Sequence, residues 1–161
     1  MVIRKATKKD IPGLLVLMER IGYLNFRFKG KSEDYIRKQI TKEFSDRTFL
    51  IMKIRDKVIG YSIIGKASKF FKTPLKVKRG YAFSLGIGID KDYQGKGYGK
   101  KLKMYTFRYI KRQGYKGMYT DVASNNYKSL KLQESTGFKK IAEYDDSKRK
   151  KGIKNVVFVK D

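Results

Sequence analysis

The chain has no cysteine and no histidine. Without cysteine there are no disulfides, no thiolate nucleophile and no Cys-based zinc site. Without histidine, Ser-His and Cys-His machinery is excluded, as is a His-ligated metal. Any chemistry must run on carboxylates, Tyr, Ser, Lys, amides and backbone. That favours direct group transfer between two bound substrates over a covalent enzyme intermediate, and no metal is expected. Tryptophan is also missing, and the two prolines form no Pro-rich linker. No apolar run approaches the roughly 20 residues that span a bilayer. The opening Met1-Val2-Ile3-Arg4-Lys5 lacks the apolar segment of a secretory signal. A cytoplasmic location is expected.

Acid is scarce. Fifteen Asp and Glu face forty Lys and Arg, a formal charge of +25. Such an excess costs self-repulsion and suits a polyanionic partner such as nucleic acid; compositional drift is the plainer alternative. What remains is ordinary: 161 residues, 40% hydrophobic and 14% aromatic. A chain of that size buries about 70% of its unfolded surface, so one domain spanning residues 1–161 is expected.

Val2-Ile3-Arg4 alternates as a short strand. Asp10 is placed to cap a helix with Pro12 in its first turn, carrying Leu14, Leu17, Met18 and Ile21 until Gly22. Ser32, Glu33 and Asp34 open a second helix with Ile36, Ile40 and Phe44 on one face. Phe49–Ile54 and Val58–Ile64 read as a hairpin turning at Arg55-Asp56-Lys57, and Tyr81–Ile89 as a third strand. Between them, Lys66–Arg79 carries six cations, no acid and the pair Phe70-Phe71, as a long basic loop or an extended hairpin. Then come a helix over Tyr98–Gln113 with Leu102, Tyr105, Tyr109 and Ile110 inward, a strand Met118–Val122, a helix Asn126–Thr136 ended by Gly137, and closing strands Phe138–Tyr144 and Val156–Val159. The order β-α-α-β-β-β-α-β-α-β-β is mixed α/β, a twisted sheet with helices on both faces.

The most informative stretch is Asp90-Lys91-Asp92-Tyr93-Gln94-Gly95-Lys96-Gly97-Tyr98-Gly99-Lys100, a turn leading from strand to helix. Glycines at alternate positions let backbone N–H groups converge on an anion, helped by the positive end of the helix. The spacing is not the dinucleotide Gly-x-Gly-x-x-Gly, and no Lys-Ser or Lys-Thr follows the last glycine, so a nucleotide P-loop is disfavoured. A Gly-rich surface turn is the alternative on these residues alone.

Here the sequence resembles the GCN5-related N-acetyltransferase superfamily, whose signature is Gln/Arg-x-x-Gly-x-Gly/Ala. Gln94, Gly97 and Gly99 match it. Asp121-Val122-Ala123-Ser124-Asn125-Asn126-Tyr127 through Gly137-Phe138 is similar to the family's strand, Asn, short helix and Gly-Phe ending. The resemblance implies the GNAT-like, largely antiparallel sheet and acetyl transfer from acetyl-CoA to a primary amine. It assigns Ile87, Gly88 and Ile89 to backbone pairing with the pantetheine arm and to an oxyanion-stabilising amide. It assigns Gln94, Gly95, Lys96, Gly97, Tyr98, Gly99 and Lys100 to the pyrophosphate, and Asn126 to the pantetheine. Asn126 also suits a helix N-cap.

The pattern breaks at two points. Aligned back from Gly137-Phe138, Gln133 stands where many members carry a Tyr that protonates the departing thiolate, and Gln cannot donate a proton. An unassisted thiolate is expected, with Tyr127 the best substitute acid. No carboxylate lies in Tyr81-Ala82-Phe83-Ser84, where some relatives hold a Glu. The family's ribosomal-protein branch has a Glu on the strand before the Asn, and that resemblance makes Asp121 the candidate general base; a strand-end carboxylate answering neighbouring Lys residues is the alternative. The acceptor amine is small-molecule or protein, and the charge favours one associated with nucleic acid. A basic nucleic-acid-binding module on this scaffold, with weak or lost catalysis, is the alternative. It would use the Lys66–Arg79 cations, the face Lys96–Arg112, Lys148–Lys151 and stacking by Phe70 and Phe71.

Overall fold

The β-branched run after Thr48 folds back on itself at Arg55, which takes a positive φ of 51°. In the computed structural model, which describes residues 1–161, the two arms are strands β2 (Thr48–Ile54) and β3 (Lys57–Lys66). They join β1 (Val2–Lys5), β4 (Tyr81–Ile89), β5 (Gly117–Ala123), β6 (Lys139–Asp145) and β7 (Lys154–Lys160) in one sheet of order β1-β2-β3-β4-β5-β7-β6. Every neighbouring pair is antiparallel except β4 and β5.

Strand alternation sends successive side chains to opposite faces, and both faces are covered. Phe49, Ile51, Tyr61 and Ile63 pack against Leu14, Leu17 and Met18 of helix α1 (Ile11–Arg20) and Ile40 of helix α3 (Glu33–Glu43). Between these helices lies a short one, α2 (Tyr23–Arg27). On the other face Leu50, Ile64, Ala82, Met118 and Val122 meet Ile110 of helix α5 (Tyr98–Arg112), with Leu130 of helix α6 (Tyr127–Ser135) alongside. The mixed α/β sheet with helices on both faces is the architecture expected from the sequence.

Three local features differ from expectation, and one open alternative, that of Lys66–Arg79, is decided. Gly22 ends α1 as expected, but helix α2 was not foreseen, because the same glycine, at a φ of 78°, also opens a second helix. Asp10 does not cap α1. Its carboxylate accepts from the Thr7 amide at 2.8 Å and takes both arms of the Arg4 guanidinium at 2.8 Å, tying β1 to the turn before the helix. Lys66–Arg79 is a loop, not a hairpin, with one helical turn, α4 (Ala67–Phe70), and Leu75 and Val77 folded onto the sheet. Finally, α5 buries Leu102, Lys103, Thr106 and Ile110, while Tyr105 and Tyr109 are only partly covered. That stripe follows the 3.6-residue period more closely than the expected one, and it contains a lysine.

Candidate active site

The parallel pairing of β4 with β5 is short. It runs from Tyr81↔Gly117 to Ser84↔Thr120 and stops. Leu85 is an extra residue in β4, since Ile63 pairs with Gly86 and Ile64 with Ser84. A bulge of this kind bends a strand. Past it, Gly86–Ile89 pair only with β3, and Asp121–Ala123 only with β7. The sheet therefore forks. The Asp90 amide bonds Ile59 O at 2.8 Å. Alternation along an antiparallel ladder then turns the Gly88 peptide toward β3 and those of Ile87 and Ile89 outward, into the fork. Gly88 itself is needed for packing: a Cβ there would come within 2.5 Å of Ile21 Cδ1 and 2.6 Å of Tyr61 Cε1.

The Gly-rich turn closes the open end of this fork. Asp90, almost fully buried, bonds the Asp92 amide at 3.1 Å and lies 3.0 Å from Lys57 Nζ and 3.3 Å from the Arg20 guanidinium. Burial works against its charge, but the Lys57 contact and the Asp92 amide outweigh that and hold its carboxyl below the usual range. Gln94 Nε2 donates to Ile89 O at 3.0 Å, fastening the turn to the strand end. Gly95 and Gly97 have φ of 75° and 78°, a region costly for any residue with a Cβ. The amides from Gly95 to Lys100 donate to no backbone carbonyl outside the helix. Helix geometry leaves those at its first turn without an internal partner. Six consecutive N–H groups are thus without an acceptor in the chain, and those of Gly95 and Gly99 belong to residues that line the cleft described next.

Turn, fork and α6 enclose a cleft of about 690 Å³, lined by Ile87, Gly88, Ile89, Gln94, Gly95, Gly99 and Asn126 with Lys128, Ser129, Lys131 and Leu132. Its residues fit CoA. Gly99 has no fold-imposed reason to be glycine, because its φ is not positive and a Cβ would meet Ile89 and Leu132 only at ordinary distances of 3.8 and 3.9 Å. What a methyl group would obstruct is the cleft beside the free amides. Asn126 caps α6, its Oδ1 accepting from the Ser129 amide at 3.2 Å, and also lines the cleft.

The acetyltransferase (GNAT) family profile matches residues 18–138. The chain belongs to the GNAT family. GNAT members are acetyl-CoA-dependent N-acetyltransferases, and solved structures agree in fold. The protein smu.2055 from Streptococcus mutans is 22% identical, with a TM-score of 0.77 over 100% of this chain and 99% of that one. A ribosomal-protein-alanine N-acetyltransferase from Brucella melitensis is 18% identical, with a TM-score of 0.76 over 99% of each chain. The protein yncA from Salmonella typhimurium, solved with its cofactor acetyl-CoA, is 20% identical, with a TM-score of 0.72 over 98% of this chain and 91% of that one.

Not every residue singled out from the GNAT signature reaches the cleft lining. Lys96 Nζ donates to Asp92 O at 2.9 Å, and Tyr98 packs on Tyr93 and the cluster of Met52, Ile59 and Leu102. Lys100 is exposed and, like Lys96, Gly97 and Tyr98, absent from the lining. The basic side chains that do line it are Lys128 and Lys131 of α6, which sequence reasoning missed. Their i,i+3 spacing, which puts both on one face of α6, was the available signal.

Asp121 lies on β5 just past the last parallel pair, on the face away from α5. Burial pushes its carboxyl up, Arg149 pulls it back, and Asp146 adds to the rise. No lysine pairs with it. Tyr127 is 76% exposed and does not line the cleft, so the substitute acid is not brought to the fork. Gln133 is 1% exposed, with Oε1 lacking a hydrogen-bond partner. No group of three His, Cys, Asp or Glu side chains is placed to hold a metal ion, and no helix is long and apolar enough to cross a membrane. The stacking rings expected in the basic loop are not free. Phe71 is buried and stacks on Phe83 at 4.5 Å, and Phe70 packs onto Gly65 under Arg47.

Proposed function

We propose that this chain is a cytoplasmic enzyme of one domain, residues 1–161, that moves an acetyl group from acetyl-CoA directly to a primary amine at the fork of the sheet. The observation that carries this is a Gly-rich turn whose amides from Gly95 to Lys100 have no acceptor in the chain, with Gly95 and Gly99 lining one cleft beside Ile87, Ile89 and Asn126. The free amides hold the pyrophosphate, with Lys128 and Lys131 adding charge. The Ile87 and Ile89 peptides and Asn126 hold the pantetheine arm. Acetyl-CoA supplies the activated acetyl group. An outward β4 amide stabilises charge developing on the acetyl oxygen, an effect worth about 10²–10³ in rate. Asp121 takes the proton from the attacking amine, and burial, by raising its pKa, makes it a stronger base than an exposed carboxylate.

The acceptor is a protein amine presented on a ribonucleoprotein or other nucleic-acid-bound complex. A charge of +25 repels free polyamines and basic tails but attracts amines carried on polyanions. The Brucella neighbour's name, which specifies a ribosomal protein, is consistent with such an acceptor. Calorimetric titration with acetyl-CoA at moderate salt, followed by thiol release against a panel of amines, tests the proposal. One acetyl-CoA should bind per chain and Gly97→Asp should abolish it. A Gly97→Asp chain that binds like the parent would refute the pyrophosphate assignment.

A further inference from the structure

The lysine in the buried stripe of α5 is unlike the other cations of this chain. Lys103 is fully buried. An ammonium taken out of water needs partners for three N–H donors. Lys103 has one hydrogen bond, from Nζ to Ser84 Oγ at 3.3 Å, and the ring of Phe138 with its centre 4.5 Å from Nζ. No carboxylate offsets its burial. A Leu or Met would fill the same stripe without that cost.

Its position gives the missing reason. Ser84 is the last β4 residue paired with β5, so Nζ lies beneath the apex of the fork. Lys103 follows Gly99 by one helical turn on the same face, and Gly99 lines the cleft. From α6, the buried Gln133 follows the cleft residue Leu132, and its Oε1 is unpartnered. Gln133 and Lys103 converge on Phe138, whose amide bonds Gln133 O at 3.0 Å and whose ring covers Nζ. Neither side chain lines the cleft itself; each is buried behind it, Lys103 one turn from the lining residue Gly99 and Gln133 next to the lining residue Leu132, the first a charge with donors to spare and the second with an unpartnered oxygen.

We propose that the Lys103 ammonium meets the sulfur of CoA at the fork, pairs with the thiolate and protonates it as the acetyl group leaves; this rests on the acetyltransferase reading above. The acceptor nitrogen bonds to the acetyl carbon, and the carbon–sulfur bond breaks with its electron pair staying on sulfur. A proton passes from Lys103 Nζ to that sulfur. The surplus proton of the acceptor leaves through Asp121 or water, and neutral Lys103 is reprotonated from solvent. Gln133, which has no proton to give, accepts a hydrogen bond through Oε1 instead of acting as the acid. Burial lowers Lys103 to about 7. That brings it within reach of a thiol of ordinary pKa about 8.5. Ser84 of β4, Thr120 of β5, Gln133 of α6 and Phe138 carry no charge, and the nearby cation is Lys160 of β7, 5.9 Å from the Phe138 ring centre.

The test uses the thiol of bound CoA, followed by thiolate absorbance during a pH titration of parent and Lys103→Met. The substitution nearly conserves volume and removes a buried charge, so the fold should hold. The thiol bound to the parent should titrate about one pH unit or more below that bound to the variant, where burial without a cation raises it. In parallel, ¹⁵N-lysine NMR of the parent should show Lys103 titrating higher with CoA than with desulfo-CoA, because coupling between two sites is reciprocal. With any amine that turns over, parent kcat should fall as pH rises past about 7, and the variant should lose that limb. Equal thiol titrations in parent and variant, equal Lys103 titrations with the two ligands, or retention of the limb would overturn the proposal. The NMR comparison decides alone if the variant does not fold. A parent that binds no CoA overturns the acetyltransferase reading as well, whereas a parent that binds CoA without these shifts overturns only the role of Lys103.

Discussion

Replacing Gly99 by alanine should strengthen the fold and weaken the cosubstrate at the same time. Glycine within a helix costs about 1 kcal/mol relative to alanine. Gly99 is in the first turn of α5, where about half of that is recovered. The new Cβ would lie 3.8 Å from Ile89 Cγ1 and 3.9 Å from Leu132 Cδ1, ordinary contacts that demand no rearrangement. For a chain of this size the gain corresponds to a Tm rise of about 1–2 °C. The same methyl enters the cleft beside the unpartnered amides, where the pyrophosphate must approach closely. A tenfold loss of CoA affinity, about 1.4 kcal/mol, is the least expected. Gly97→Ala is the control with the opposite sign on stability: its φ of 78° makes a Cβ cost about 1–2 kcal/mol. Thermal melts and calorimetric titration of the three chains give both quantities. A Gly99→Ala chain that melts higher but binds CoA within twofold of the parent would refute the close-approach explanation, and with it the placing of the pyrophosphate.

Asp121→Asn should cut turnover by about 10²-fold or more toward pH 6, where the amine most needs a base; a loss below about threefold across pH 6–9 would transfer the role elsewhere. Burial raises the Asp121 pKa, so its charge opposes folding above the ordinary carboxylate range, and the same variant should melt no lower than the parent at pH 7. Asp10→Asn should destabilise by about 1–3 kcal/mol at pH 7, the range for hydrogen bonds to a charged group. Because Arg4 holds the Asp10 pKa below its unfolded value, that difference is present above the unfolded pKa and should vanish as pH falls through the folded one, which acid titration of both melts would check. Neutralising Lys69, Lys72, Lys76 and Lys78 should flatten the log–log salt dependence of any RNA binding by about 0.7 for each phosphate left without its cation, with CoA affinity intact. Lys69 is held by Asp46 and Lys78 lies near Asp161, so Lys72 and Lys76 should carry most of the change.

The strands were legible because their apolar residues alternate or run unbroken between turn signals, and the turn was legible because its glycines have few other uses. What the sequence concealed was tertiary. The fork depends on one extra residue, Leu85, whose identity is unremarkable in a strand; only the register against Ile63 and Ile64 exposes it. Asp10 looked like a cap because it precedes Pro12, yet the Arg4 guanidinium competes for the same carboxylate and wins with two short hydrogen bonds. Phe70-Phe71 looked available for stacking amid six cations, but Phe83 and Gly65 provide packing surfaces that sequence spacing does not show. Lys103 was hidden by its type. Among forty Lys and Arg residues, one more lysine draws no notice until its helix is seen to turn it toward the sheet.

The proposed function makes the net charge and the pyrophosphate site separable. Lys96 and Lys100, the lysines within the Gly-rich turn, do not line the cleft, and Lys96 is engaged with Asp92 O. In the proposed reading, affinity for the pyrophosphate rests on backbone amides fixed by Gly95, Gly97 and the start of α5, helped by Lys128 and Lys131. Fixed dipoles at contact distance are screened by salt far less than a field acting across more than a Debye length, about 8 Å at physiological ionic strength. CoA binding should therefore weaken only modestly between low and physiological salt, while attraction of a polyanionic acceptor complex should fall steeply. If both fell in parallel, the charge of the whole surface, and not the nest of amides, would be what holds the cosubstrate.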